Sequence, residues 1–289
     1  MSEAPKLDRE RFYKITLAFL ILLPISYIII SIFSSLAMTF VYVSSRIDET
    51  YLEMSFDQKN AYVEKLMKET QEKAKTNSAK FLEEEFLNHI VTDRASLLFW
   101  DRIFWGIAFL IPAYIFLDRI LKVSIAKLED PFEGKSVLKG IQFGISIAIG
   151  FILFAYILEK FGIKLENGAL QTKLFSALKG NTYLFLWAVY SVGIVTGIVE
   201  ELYFRGFMMK SIAESGFPRE GLIISSFIFG IMHFQSDASI AIPVLLTIVG
   251  FLFGIIYLVY KNIWVSIAAH AAYNTFGLLF GYLLGDGPK

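Results

Sequence analysis

The chain has 289 residues, of which 55 % are hydrophobic and 28 are Phe, and its 27 Lys+Arg balance 27 Asp+Glu. A soluble domain of this length carries fewer apolar and more charged residues, and a chain of zero net charge lacks the basic stripe that a nucleic-acid partner requires. With no cysteine, the chain has no disulfide, no thiolate metal site, no cysteine nucleophile and no thiol of its own to lipidate.

The N-terminal MSEAPKLDRERFYK is charged and leads into an apolar run far longer than a signal-peptide core. No small-residue cleavage site follows, so it reads as an uncleaved signal anchor. About 20 apolar residues cross the roughly 30 Å of bilayer hydrocarbon. The first such run covers 15–44, with Pro24 inside it.

Residues 46–95 are charged and helix-forming, with Tyr62, Leu66, Phe81, Phe86 and Leu87 at loose helical spacing. They predict an extramembrane helical insertion, read as a solvated hairpin, with a gating or partner-binding cap as the sharper alternative. His89, beside Glu83, Glu84 and Glu85, reads as a surface histidine.

Further spans are predicted over 97–121, 138–159, 183–209, 220–235, 239–260 and 263–284. The expected fold is therefore all-α: a polytopic transmembrane bundle of about seven spans with the charged insertion after the first. Residues 1–45 form the N-terminal tail and first span, 46–95 the insertion, 96–182 spans two and three with their loops, and 183–285 the remaining core. Trp100, Trp105 and Trp264 fall near span ends, as interfacial aromatics do.

Basic residues predict the orientation. With seven spans, Lys6, Arg9, Arg11 and Lys14 share one side with Arg119, Lys122, Lys127, Lys135, Lys139, Arg205, Lys210, Arg219 and Lys261. That side is taken as cytoplasmic, which puts the N-terminus inside. The opposite 160–182 loop also carries Lys160, Lys164, Lys173 and Lys179. The expected location is the plasma membrane of a prokaryote.

Ionisable groups inside a span each cost about 2.5–3.5 kcal/mol on insertion scales, so they mark function by default. Away from helix ends they are few: Glu200, Glu201 and Arg205 in span four, His233 in span five, and His270, with the amide of Asn274, in span seven. At about 1.5 Å per residue these groups fall roughly 10–20 Å from the cytoplasmic side, in one layer. Glu201 and Arg205 are i and i+4, the spacing of an ion pair, and Glu200 is rotated by about 100° from Glu201. His270 and Asn274 are also i and i+4, so they share a helix face. Gly193 and Gly197 make a small-xxx-small approach for a neighbouring helix.

Each of these residues has a plain structural role open to it: a helix-stabilising pair, interhelical glue, a satisfied core histidine. Together they suit water addition to an amide bond. A buried carboxylate and an imidazole take a proton from water, and a second imidazole and an amide face the oxyanion. The same donors suit a divalent metal such as zinc, although HExxH is absent; the favoured reading needs no cofactor.

EELYFRG (200–206), FGIMH (229–233) and HAAYN (270–274) resemble the EExxxR, FxxxH and HxxxN motifs of the CPBP family, also called the ABI family of intramembrane proteases. It includes the type II CAAX prenyl endopeptidases. Phe204, Gly206, Ser225, Ser226 and Asn262-Ile263-Trp264 agree with the resemblance, which covers about 183–280. It implies an all-helical membrane endopeptidase in which Glu200 and His233 activate water. His270 and Asn274 would form the oxyanion site, and Glu201 and Arg205 would position the set. The implied substrate is a membrane-anchored or prenylated CaaX-type protein or peptide, reached among membrane lipids. A non-catalytic protease-like scaffold and a proton-relaying transporter are the rival expectations; no internal repeat of the transporter kind is apparent.

Overall fold

The computed structural model describes residues 7–47, 50–92, 94–121, 131–235 and 237–285; within these, the side chains of 42, 73–84 and 169–170 are not described. Lys6, Lys122 and Lys127 of the orientation argument, and the side chains of Phe81, Glu83 and Glu84, lie outside the described set. Among the described residues every regular element is helical. The main helices are α1 (Arg9–Ser44), α2 (Phe56–Thr92), α3 (Leu97–Ile120), α4 (Gly134–Lys160), α5 (Ala169–Leu178), α6 (Thr182–Glu214), α7 (Pro218–Ile231), α8 (Ala241–Tyr260) and α9 (Ile263–Leu284). A single helical turn, Thr50–Glu53, precedes α2.

Six of these, α1, α3, α4, α6, α8 and α9, are long and apolar enough to cross a membrane. The chain is a multi-pass membrane protein. Its outward faces are apolar: on α4, Leu138, Ile145, Ile149, Leu153 and Phe154 are exposed, and against lipid such residues need no further cover. The predicted charged insertion is the 37-residue α2, whose mean hydropathy is far below that of its neighbours.

The fifth predicted span differs. α7 has 14 residues, about 21 Å of helix, too short to cross alone. The described residues that follow, 232–235 and 237–240, are not regular helix. The chain nevertheless changes ends of the bundle here. The amide of Asp8, before α1, donates to Ser215 O beside the α6–α7 turn, and the amide of Ser239 donates to Glu166 O beyond the end of α4. The expected seven passages thus comprise six full helices and one half-helix with an irregular continuation. Non-helical backbone at membrane depth is tolerated where protein buries it or it lines a polar cavity, and His233 sits at this break.

Small residues bring the helices together. An added Cβ at Gly140 or Gly144 on α4 would strike Val265 O or Ala269 O on α9. On α6, Gly193 faces Thr275 and Gly197 faces Ala271, both on α9, as the glycine spacing predicts. One core cluster joins Ile15, Phe19 and Leu22 of α1 and Phe109 and Leu117 of α3 to Tyr203, Phe204 and Met208 of α6 and Phe229 of α7. A second joins Ile90 of α2 to Leu178 of α5, Leu184 of α6 and Leu278 of α9, so the C-terminal end of the insertion is docked on the bundle. Lys173 on α5 also donates to Asn88 Oδ1.

Candidate active site

Helix α6 is not α-helical throughout. Residues Val189–Val195 and Leu202–Met209 are π-helical, and the α-helical turn Thr196–Glu201 lies between them. π-Helical turns are rare and concentrate at functional sites. The two glutamates occupy the last positions of the turn between the wide segments.

Glu201 is fully buried and accepts three hydrogen bonds. Oε1 takes one from Arg205 Nη1 at 2.8 Å and one from His270 Nδ1 at 2.9 Å; Oε2 takes one from Ser266 Oγ at 2.5 Å. Arg205, equally buried, uses Nη2 to donate to Gly250 O on α8 at 2.5 Å. Its guanidinium lies 5.1–5.8 Å from the ring centroids of Phe204, Phe229 and Phe253. A planar cation among aromatic faces gains cation–π attraction where water is absent. The predicted i, i+4 pair therefore forms, and it also ties α6 to α8 and α9.

Glu200 points elsewhere. It is 5 % exposed, and its Oε2 has no hydrogen-bond partner in the protein. That oxygen lies 3.7 Å from His270 Nε2. Because Nδ1 of His270 faces a carboxylate that only accepts, it carries a proton, and Nε2 is the atom turned toward Glu200. Phe253 stacks on the imidazole with centroids 4.7 Å apart.

His233 is half-buried at the end of α7, and its Nδ1 lies 2.7 Å from Phe229 O. A carbonyl only accepts, so Nδ1 is the protonated nitrogen and Nε2 is left available. The Phe229 ring is shared by the two histidines, 4.8 Å from His233 and 5.7 Å from His270. Asn274 donates through Nδ2 to Val192 O at 3.0 Å, inside the first π-helical segment. Its amide has two N–H groups, so one is committed to the backbone.

All six predicted residues thus belong to one neighbourhood of α6, α7 and α9. The imidazole at ion-pair range of Glu200 is His270, whereas His233 reaches the group through Phe229. Three participants escaped the sequence reading: Ser266, the aromatic box around Arg205 and the Gly250 carbonyl. Ser266 was findable, since Ser266, His270 and Asn274 repeat every four residues along one helix face. Among the described residues no group of three or more His, Asp or Glu side chains is arranged to hold a metal ion. Both oxygens of Glu201 are already engaged by other donors.

Fold and site together define a polytopic helical membrane protein with a buried carboxylate–imidazole centre. Residues 182–276, the third of the chain that carries all six groups, match the family described as type II CAAX prenyl endopeptidase Rce1-like. Among curated proteins, the chain is similar to "Putative membrane peptidase YdiL" of Bacillus subtilis (strain 168). The two are 43 % identical over 84 residues, 29 % of this chain and 32 % of the relative. The chain thus spans about a third of the length of the relative it matches. No solved structure matches the chain.

Proposed function

We propose that this protein is an intramembrane endopeptidase that cleaves a peptide bond of a membrane-associated protein or peptide by glutamate-activated water. The observation that carries the reading is the unpartnered, buried Oε2 of Glu200 facing His270 Nε2, inside the Rce1-like segment. A carboxylate whose lone pairs meet no protein donor is placed to accept from water.

In this reading Glu200 accepts one proton of a water as its oxygen adds to the substrate carbonyl carbon. The carbonyl becomes an oxyanion, met by the second N–H of Asn274, and His270 joins it only in the form that also carries a proton on Nε2. Collapse breaks the C–N bond, and the proton held by Glu200 passes to the leaving amine. The products are an amine and a carboxylic acid, which releases its remaining proton to become the carboxylate, and no covalent enzyme intermediate forms. His233 offers Nε2 as a second acceptor for the water. Glu201, Arg205 and Ser266 hold His270 in place. This scheme needs no cofactor; a divalent metal such as zinc is the competing version.

The substrate would be a membrane-anchored chain, with a prenylated CaaX-type C-terminus as the form the family name points to. It would arrive laterally from the lipid, past the half-exposed His233. The proposed setting is a prokaryotic plasma membrane with the N-terminus in the cytoplasm. Comparing protein termini in membranes that carry wild type or Glu200→Gln tests the reading. New termini present only with wild type are expected. Identical sets at equal expression would point instead to a protease-like scaffold without turnover.

A further inference from the structure

We infer that Tyr27, on the first helix and outside the Rce1-like segment, is a positioning residue for His233. The inference rests on the proposed peptidase reading only for its catalytic consequence.

Tyr27 Oη donates to Met232 O at 3.1 Å. Met232 is the C-cap of α7, so its carbonyl is one of those that a helix end leaves without an intrahelical partner. The next residue is His233, whose own Nδ1 turns back to Phe229 O within the last turn. The tyrosine thus fastens the half-helix at the peptide that precedes the imidazole. It does so where the chain leaves helical geometry, at Phe234.

The phenol is itself held. Its ring meets Trp105 and Phe109 of α3 edge to face, with centroids 6.4 and 5.9 Å away. The part of α1 before Tyr27 is anchored: Ile15, Phe19 and Leu22 pack in the core against Tyr203 and Met208, and Arg11 pairs with Glu214 at 3.4 Å. The first helix therefore reaches the His233-bearing end of α7 through one hydrogen bond.

The test uses the full chain, labelled with 15N-histidine and reconstituted in lipid bilayers, where magic-angle-spinning NMR distinguishes Nδ1–H from Nε2–H imidazoles. The chain has three histidines, and His233→Gln assigns the signal of interest. In wild type, His233 is expected as the Nδ1–H form. Tyr27→Phe keeps the ring packing and removes only the donor. It should split or broaden the His233 signal and leave that of His270 in place, with thermal unfolding close to wild type. Tyr13→Phe on the same helix, 65 % exposed, should change neither.

In a hydrolysis assay Tyr27→Phe should lower kcat by about tenfold or more with KM nearly constant, the pattern of a misplaced catalytic group. An unchanged His233 signal in Tyr27→Phe would overturn the positioning role whatever the activity. A changed signal with unchanged kcat would overturn its catalytic consequence. Absence of hydrolysis by wild type would count against the peptidase reading, while the NMR comparison would still decide the role of Tyr27.

Discussion

Glu200 and Glu201 approach one imidazole from two sides: Glu201 Oε1 lies 2.9 Å from His270 Nδ1, and Glu200 Oε2 lies 3.7 Å from His270 Nε2. Adjacent residues on a helix diverge by about 100°, so a doubled glutamate can hold a histidine with one member and leave the other for chemistry. Replacing Glu200 by Gln removes the proposed proton acceptor and conserves shape. Hydrolysis should fall by about 10²–10⁴, the range for a lost general base, and thermal unfolding in detergent should scarcely move. A large loss of stability would show instead that Glu200 is structural.

Arg205 and Glu201 should behave in the opposite way. Both are fully buried, and Arg205 links Glu201 to the Gly250 carbonyl. Arg205→Leu leaves the Glu201 charge without its cation, a change that costs about 3–5 kcal/mol when a buried pair is broken. Lysine restores charge but not the fork that reaches two acceptors, so Arg205→Lys should recover only part of the loss. Unfolding midpoints for the three proteins check the ranking. Equal midpoints for Leu and Arg would refute it.

Ser266 supplies the third hydrogen bond to Glu201, at 2.5 Å. Ser266→Ala should destabilise by about 1.5–3 kcal/mol, the range for a hydrogen bond to a charged group, and reduce kcat through a less constrained His270. The measurement is denaturation alongside kinetics. A variant that loses stability at constant kcat would confine Ser266 to the fold.

Much of this was legible because a membrane makes polar groups conspicuous. Glu200, Glu201, Arg205, His233, His270 and Asn274 stand out in apolar sequence, and the i, i+4 spacing gave the Glu201–Arg205 pair. The partner of Glu200 was not legible, because which imidazole lies nearest depends on helix rotation, and the two π-helical segments of α6 alter that rotation without a composition signal. Tyr27 was invisible for a related reason: it is one of three tyrosines on a 36-residue apolar helix, and nothing marks it out until α7 is seen to end beside it. The length of α7 was misread because Met232 and Phe234 remain apolar past the point where the backbone leaves the helix.

A chelator separates the two versions of the water-activating centre. If Glu200 acts without a metal, dialysis against a strong zinc chelator should leave hydrolysis within about twofold, since a lost catalytic ion would remove several kcal/mol of transition-state stabilisation. Loss of activity that zinc restores would establish the metal version. The ligands would then have to include groups other than Glu201, whose two oxygens are already engaged.

Gly250 tests whether the aromatic packing sets the histidines. A Cβ there would lie 2.9 Å from Phe229 Cδ1 and 3.2 Å from Cγ, too close for the ring to stay in place. Phe229 contacts both His233 and His270, and its carbonyl holds His233 Nδ1. Gly250→Ala should therefore cost about 1–3 kcal/mol through overpacking and lower kcat in the same variant. Gly277→Ala is the matched control, because its added Cβ meets no atom within 4 Å. There the gain in helix propensity of about 1 kcal/mol should leave stability equal or higher and kcat unchanged. If the two alanine variants prove alike in both stability and kcat, Phe229 is not what couples the two imidazoles.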